Sequence, residues 1–382
     1  MPMIHALVDP ASQKLDQFGP QEISNMLWAL AALVFENAPL FHDMAVTAIQ
    51  KPLEGQSLAS IFWSFATILC SDRPIVETIS ATFVTSAHTC GPVEIANIAW
   101  AVATLRYFDF PVLEVLGNAA KQLSMHFAHQ ELASIAWAFA VFDVSQKPLL
   151  TALSNAACEA VPRMDVRCLA GISWAFVVLV VNDARIIRRI CEHSGQLLEC
   201  SPEQFSAQSL ASMAWFFSSF DVGHSPLMDQ IVRLSCSVAS SFRDTEAAML
   251  SWSLCHSGRL ELCWRLIDAY SASPNEGSED RDRAALAVAA IGPLLATHGL
   301  EGDAEGFAKS LKALVSLGEL PGLVDPSLKA AGMALAELGR ADAAVESLQR
   351  RANREPDSLA KACGLYIESD ANLMALHGSS TK

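Results

Sequence analysis

The side chains best placed for chemistry in this chain are polar but mostly uncharged, and they recur at fixed distances from a set of tryptophans. Trp28, Trp63, Trp100, Trp137, Trp174, Trp215 and Trp252 are separated by 35, 37, 37, 37, 41 and 37 residues. Seven residues before them stand Gln21, Gln56, Val93, Gln130, Arg167, Gln208 and Thr245. Three before them stand Asn25, Ser60, Asn97, Ser134, Gly171, Ser212 and Met249, with small residues such as Ala29, Ala101 and Ala138 one after. An amide both donates and accepts, and a hydroxyl does the same with fewer groups. That inventory suits hydrogen bonds to the edges of unstacked bases in a single strand, not the breaking of bonds. A second reading stays open, in which Gln in a first helical turn is solvated while Asn and Ser satisfy neighbouring backbone.

The other group with a chemical use is Arg185-x-x-Arg188-Arg189, three guanidinium groups on one helical face that could grip phosphates. Its alternative is a solvated face paired with acids such as Glu192. Catalysis finds no candidate: the chain contains no nucleophile elbow, phosphate-binding glycine loop, dinucleotide fingerprint or kinase catalytic loop. His126 and His129 could share a helical face, yet no nearby Cys completes a metal site, so they read as surface histidines. The expectation is therefore no catalytic residue, no metal and no cofactor.

The elements that must position these residues follow from the apolar pattern around each Trp. Five before it come Ile23, Leu58, Ile95, Leu132, Leu169, Leu210 and Ala247; two after it come Leu30, Phe65, Val102, Phe139, Phe176, Phe217 and Leu254. At 100° per residue these positions and the one two before the Trp lie within about 60° of each other, while the Trp lies almost opposite. A helix apolar on two sides is packed between like neighbours with a partner behind it. That partner begins where Pro39, Pro74, Pro111, Pro148 and Pro226 stand eleven residues after the Trp, since proline suits a first helical turn. The predicted fold is all-α, an α-solenoid of about seven helix-turn-helix repeats of ~37 residues, followed by a smaller helical, tetratricopeptide-like region.

By position, 1–18 is a partial repeat or disordered start, 19–272 the seven-repeat solenoid, 273–283 an acidic, turn-rich linker, 284–370 the tetratricopeptide-like region and 371–382 a disordered tail. Residues 1–16 lack the character of a signal or transit peptide and resemble the end of a repeat's second helix, so earlier repeats and a targeting segment are expected upstream. The wider interval before Trp215 is assigned to a loop insertion around Glu199-Cys200-Ser201-Pro202-Glu203. The seventh repeat, with Ala247 in place of Leu or Ile, reads as an end unit.

Composition sets limits on partners. The formal charge is −15, and neither the part before Ala272 nor the part after it is basic, which tells against a nucleic-acid binder. The longest uncharged apolar run falls well short of the ~20 residues that span a bilayer. Ten cysteines without any closely spaced pair indicate reduced core thiols.

The cores Ile95-Ala96-Asn97-Ile98-Ala99-Trp100-Ala101 and Leu132-Ala133-Ser134-Ile135-Ala136-Trp137-Ala138 resemble the octotricopeptide-type repeats of organellar RNA-binding proteins. They are also similar to the leucine-rich helical region of FAST-kinase-like and RAP-domain proteins. The resemblance implies a non-catalytic solenoid that selects single-stranded RNA in a mitochondrion or chloroplast and acts in RNA processing, stability or translation. It further implies protein partners through the C-terminal helical region, with no membrane and no DNA. No RAP-like module is visible in the C-terminal part, which tells against a nuclease-like activity. The alternative function, favoured by the acidic balance, is a protein-protein interaction scaffold.

Overall fold

A computed structural model describes residues 8–259, apart from 9, 36, 71, 223–225, 243–245, 247–248, 251–252, 255–256 and 258. The described residues are almost entirely helical, with no strand among them. The linker at 273–283, the helical region at 284–370, the tail at 371–382 and the close of the seventh repeat lie outside them, as do Trp252, Thr245 and Ala247. The chain divides into two compact units between Arg189 and Ile190.

In the first unit five repeats follow one another. Their first helices are α1 (Pro20–Ala32), α3 (Gly55–Thr67), α5 (Pro92–Thr104), α7 (His129–Val141) and α9 (Val166–Val178). Their second helices are α2 (Ala38–Ile49), α4 (Arg73–Ser86), α6 (Phe110–Leu123), α8 (Lys147–Ala160) and α10 (Ala184–Cys200), of which α10 begins in the first unit and continues past Arg189. Proline stands in the first turn of α2, α4, α6 and α8, where its missing N–H has no intrahelical partner to lose. In the second unit α11 (Ala207–Ser219) and α12 (Pro226–Ser237) repeat the pattern and pack on each other.

First helices pack on first helices and second helices on second helices, which makes two layers. The first helices lie closer together, because they meet through small side chains: Ala59, Ala96, Ala133 and Ala170 on one side, Ala101, Ala138 and Ala175 on the other, all buried. The first-helix layer is therefore the inner, concave one in this unit. Ile23, Leu58, Ile95, Leu132 and Leu169, none more than 1% exposed, fill the space between layers with Phe65, Val102, Phe139 and Phe176. Trp28, Trp63 and Trp100 form a ladder from repeat to repeat, with ring centroids 5.9 and 6.5 Å apart. Trp63, Trp100, Trp137 and Trp174 are buried, while Trp28, on the first helix of the ladder, is 37% exposed. Gly55 serves close approach, since a Cβ there would stand 2.7 Å from the Thr89 carbonyl oxygen of the next repeat.

Each first helix ends in the same turn. Six residues after the Trp, Val34, Leu69, Arg106, Asp143, Val180 and Asp221 all take φ between 51° and 58°. The N–H of the following residue bonds back across the turn, as Val181 does to the Phe176 carbonyl at 2.8 Å, so the left-handed residue reverses the chain and satisfies the helix end. Glycine usually fills this place, because an L side chain costs about 1–2 kcal/mol there. Val180, β-branched and 78% exposed, has little packing to offset that cost. Val180→Asn, which tolerates the conformation, is expected to raise stability by about 1 kcal/mol, read as a higher urea midpoint. An unchanged or lower midpoint would mean that Val180 is held by contacts of its own.

One expectation is corrected. The four extra residues before Trp215 do not form a loop; α10 runs unbroken to Cys200 and spans 17 residues, against 12 to 14 in α2, α4, α6 and α8. Four residues add about one helical turn, so the helix lengthens without rotating its apolar face, and Pro202 then ends it.

Candidate nucleic-acid interface

The positions seven and three before the Trp point away from the second-helix layer, about 40° apart around each first helix. Gln21, Asn25, Gln56 and Gln130 are exposed, whereas Ser60, Asn97, Ser134, Arg167 and Gln208 are half-buried. Ser212 is only 3% exposed, so it does not join this surface. Ala101 and Ala138, expected to flank the polar face, are buried between adjacent first helices, and only Ala29 remains exposed. The helices approach closely because those residues are small, which narrows the open face to its amide and hydroxyl columns. At Gly171 the column opens: a Cβ there would meet no atom within 4 Å.

The edge where the first helices begin carries a second set of groups. A short 3-10 turn precedes α1, α5, α7, α9 and α11: Leu15–Gln17, Ala87–Thr89, Ser124–His126, Val161–Arg163 and Pro202–Gln204. These turns bring His88, His126 and Arg163 to the surface twelve or eleven residues before their tryptophans, close to Gln130 and Arg167 at the helix starts. Lys51 occupies the same place in the second repeat, where its ammonium donates to the Phe18 carbonyl and, at 3.2 Å, to that of Asp16. Two acids at this edge are turned back on their own helix starts: Glu94 accepts from the Gly91 N–H at 2.9 Å and Glu131 from the Ala128 N–H at 2.6 Å. Asp165 caps α9 by accepting from the Cys168 N–H at 2.8 Å. Burial pushes its carboxyl up, but the Cys168 hydrogen bonds and the nearby Arg167 and His129 outweigh that and hold it below the usual range. The only sequence signal for this row is the periodic position twelve or eleven before the Trp. That signal is faint because Lys, His and Arg stand there in the second to fifth repeats without sharing a residue type, while Asp16 and Glu203 stand at the same place in the first and sixth.

Arg185, Arg188 and Arg189 lie elsewhere. They open α10, on the second-helix layer and at the edge where first helices end. A first helix of 13 residues separates the two edges by roughly 20 Å, so the arginines and the amide column are not brought together. Arg185 is committed within the fold: its guanidinium donates to Asp183 at 2.8 Å and to Asn155 of α8 at 2.9 Å. Asp183 also accepts from the Ser154 hydroxyl at 2.9 Å, which ties the start of α10 to the preceding second helix. Asp72 plays the same part earlier in the array, capping α4 through the Ile75 N–H and meeting His42 of α2 at 2.6 Å.

The Arg185 hydrogen bond, against a smaller effect of burial, holds Asp183 at about 2. A depressed carboxylate stabilises the fold above its unfolded value near 3.9, and that contribution is lost as pH falls toward 2. Asp183→Asn should therefore flatten the loss of stability between about pH 4 and 2, measured as the urea midpoint against pH. An acid limb of unchanged slope would show that Asp183 does not carry it.

No group of three His, Cys, Asp or Glu side chains that could hold a metal occurs among the described residues. His126 is exposed at the end of its turn and His129 is the first residue of α7. Burial pushes the thiol of the core residue Cys168 up, and those of the half-buried Cys90 and Cys191 to about 11.

A two-layer helical array with a polar inner face places the chain in the α-solenoid class. Residues 14–259 match the family described as RNA-editing substrate-binding complex 6 protein, and the chain belongs to that family. No curated protein matches the chain. The match supports a helical, RNA-associated family and does not single out the octotricopeptide, FAST-kinase-like or RAP groupings that the repeat cores resemble.

Proposed function

We infer that this protein is a non-catalytic, single-stranded RNA-binding subunit of an organellar RNA-processing assembly, in the mitochondrion and not the chloroplast. The family description supplies RNA editing and a complex as the setting. The observation that carries the reading is the inner face of the first unit. There Gln56, Asn97, Gln130 and Ser134 lie on consecutive first helices, next to an edge that carries His88, His126, Arg163 and Arg167. Bases would meet the amide and hydroxyl column while phosphates run along the 3-10 turns, so the acidic balance of the whole chain does not decide the matter. Arg185, Arg188 and Arg189, at the far edge, contribute less in this arrangement.

The test is equilibrium binding of a mixed single-stranded RNA pool by the full chain at low salt, with duplex DNA as the control. Retention of RNA over duplex, weakening as salt rises, is the expected result. No binding above background at low salt would leave the interaction-scaffold reading in its place.

A further inference from the structure

The tryptophan ladder of the inner layer ends open. Trp63 and Trp100 are 6% and 4% exposed, whereas Trp28, whose ring lies 5.9 Å from that of Trp63 and is tilted by 32° to it, is 37% exposed. An indole left this bare forgoes burial that every other described tryptophan of the first unit obtains. Its surroundings are polar. At 100° per residue Gln21 and Asn25 lie about 20° and about 60° from Trp28 around α1, with Ala32 between them at about 40°. Gln21, Asn25 and Ala32 are exposed, and so is Gln56, which holds the place of Gln21 on the next first helix. The bare indole thus shares one face of α1 with two amides, and the small Ala32 leaves room beside it.

We propose that Trp28 stacks on a base of the bound single strand, so that the base continues the ladder by one ring while Gln21 or Asn25 hydrogen-bonds to its edge. This rests on the RNA-binding reading and adds to it a place where the strand is anchored without charge. Two observations select a base as the occupant. First, an apolar helix or a second copy of the chain laid over Trp28 would also cover Gln21 and Asn25, and buried amides without partners are costly. A base offers a π face to the ring and donors and acceptors to the amides. Second, the edge beside α1 carries Asp16 where the next four repeats carry Lys51, His88, His126 and Arg163, so phosphates are not gripped at this repeat. Stacking holds the strand where charge does not, and it tolerates any base because each has a π face.

Equilibrium binding of the mixed single-stranded RNA pool by the full chain and its Trp28 variants tests it. Trp28→Leu, which still covers Trp63 but has no π face, should weaken binding about fivefold or more, and Trp28→Ala at least as much. Trp28→Phe should stay within about threefold of the parent. The log-log salt slope should be the same in parent and variants, since no phosphate contact is lost, whereas Arg163→Gln with Arg167→Gln lowers it. Tryptophan emission gives a second readout, because the difference between parent and Trp28→Phe isolates Trp28. That emission should be quenched by acrylamide in the free chain and protected once RNA is bound. If the parent binds RNA and Trp28→Leu binds it equally well, the stacking site is overturned and the RNA-binding reading stands. Trp28 already shielded from acrylamide in the free chain also overturns the site, because another part of the chain or a second copy then covers the ring. A parent that binds no RNA above background overturns both.

Discussion

Trp137→Ala is expected to cost about 3–5 kcal/mol, the largest loss that any single change in the inner layer should bring. The indole is 2% exposed, and Ala133 and Ala138 of its own helix and Ala170 of the next first helix are too small to fill the space it leaves. Because each repeat touches only its neighbours, the damage should be local. Hydrogen exchange should accelerate in α5, α7 and α9 and change least in α1. Trp28→Ala is the internal comparison: 37% exposed and with Trp63 as its ring partner, it should lose only about 1 kcal/mol. A uniform change in exchange along the described helices, or equal costs at the two tryptophans, would contradict a nearest-neighbour array.

The second large effect concerns RNA. Replacing Arg163 and Arg167 by Gln should weaken every single-stranded RNA alike and flatten the salt dependence, by about 0.7 in the log-log slope for each phosphate that the protein no longer neutralises. The triple change of Arg185, Arg188 and Arg189 to Gln should alter affinity less, and it will also lower stability because Arg185 anchors Asp183 and Asn155. Asn97→Ala with Gln130→Ala should instead change which sequence is preferred, by about 1–3 kcal/mol for a good bidentate pair, with the salt slope little altered. The two sets are separable because phosphate contacts act through counterion release while amide contacts act through geometry. If the far-edge arginines flatten the salt slope and Arg163 and Arg167 do not, the RNA does not run along the 3-10 turns.

The sequence by itself determined the period, the all-α class and the burial of each first helix on two sides. The reason is local: a 3.6-residue repeat places the residue five before the Trp, the one two before and the one two after on a single stripe, with the Trp and Ala on the other. It also determined which columns carry amides and hydroxyls, since those follow from the same rotation. How much of each column reaches solvent was decided by the tertiary structure. Ala101 and Ala138 let neighbouring first helices close over their own positions and leave Gln130 exposed, while Ser212 is drawn inside.

The same holds for the two edges. That Arg163 joins Gln130 and Arg185 does not depends on which end of a first helix each turn meets, and antiparallel pairing within a repeat sets that. A four-residue insertion could have been a loop or a helical turn; amphipathic continuation through α10 to Cys200 made it a turn. In the described repeats the left-handed place six after the Trp is held by Val, Leu, Arg and Asp. No residue type announces it, and only the paired hydrogen bonds that close each first helix show that the chain reverses there.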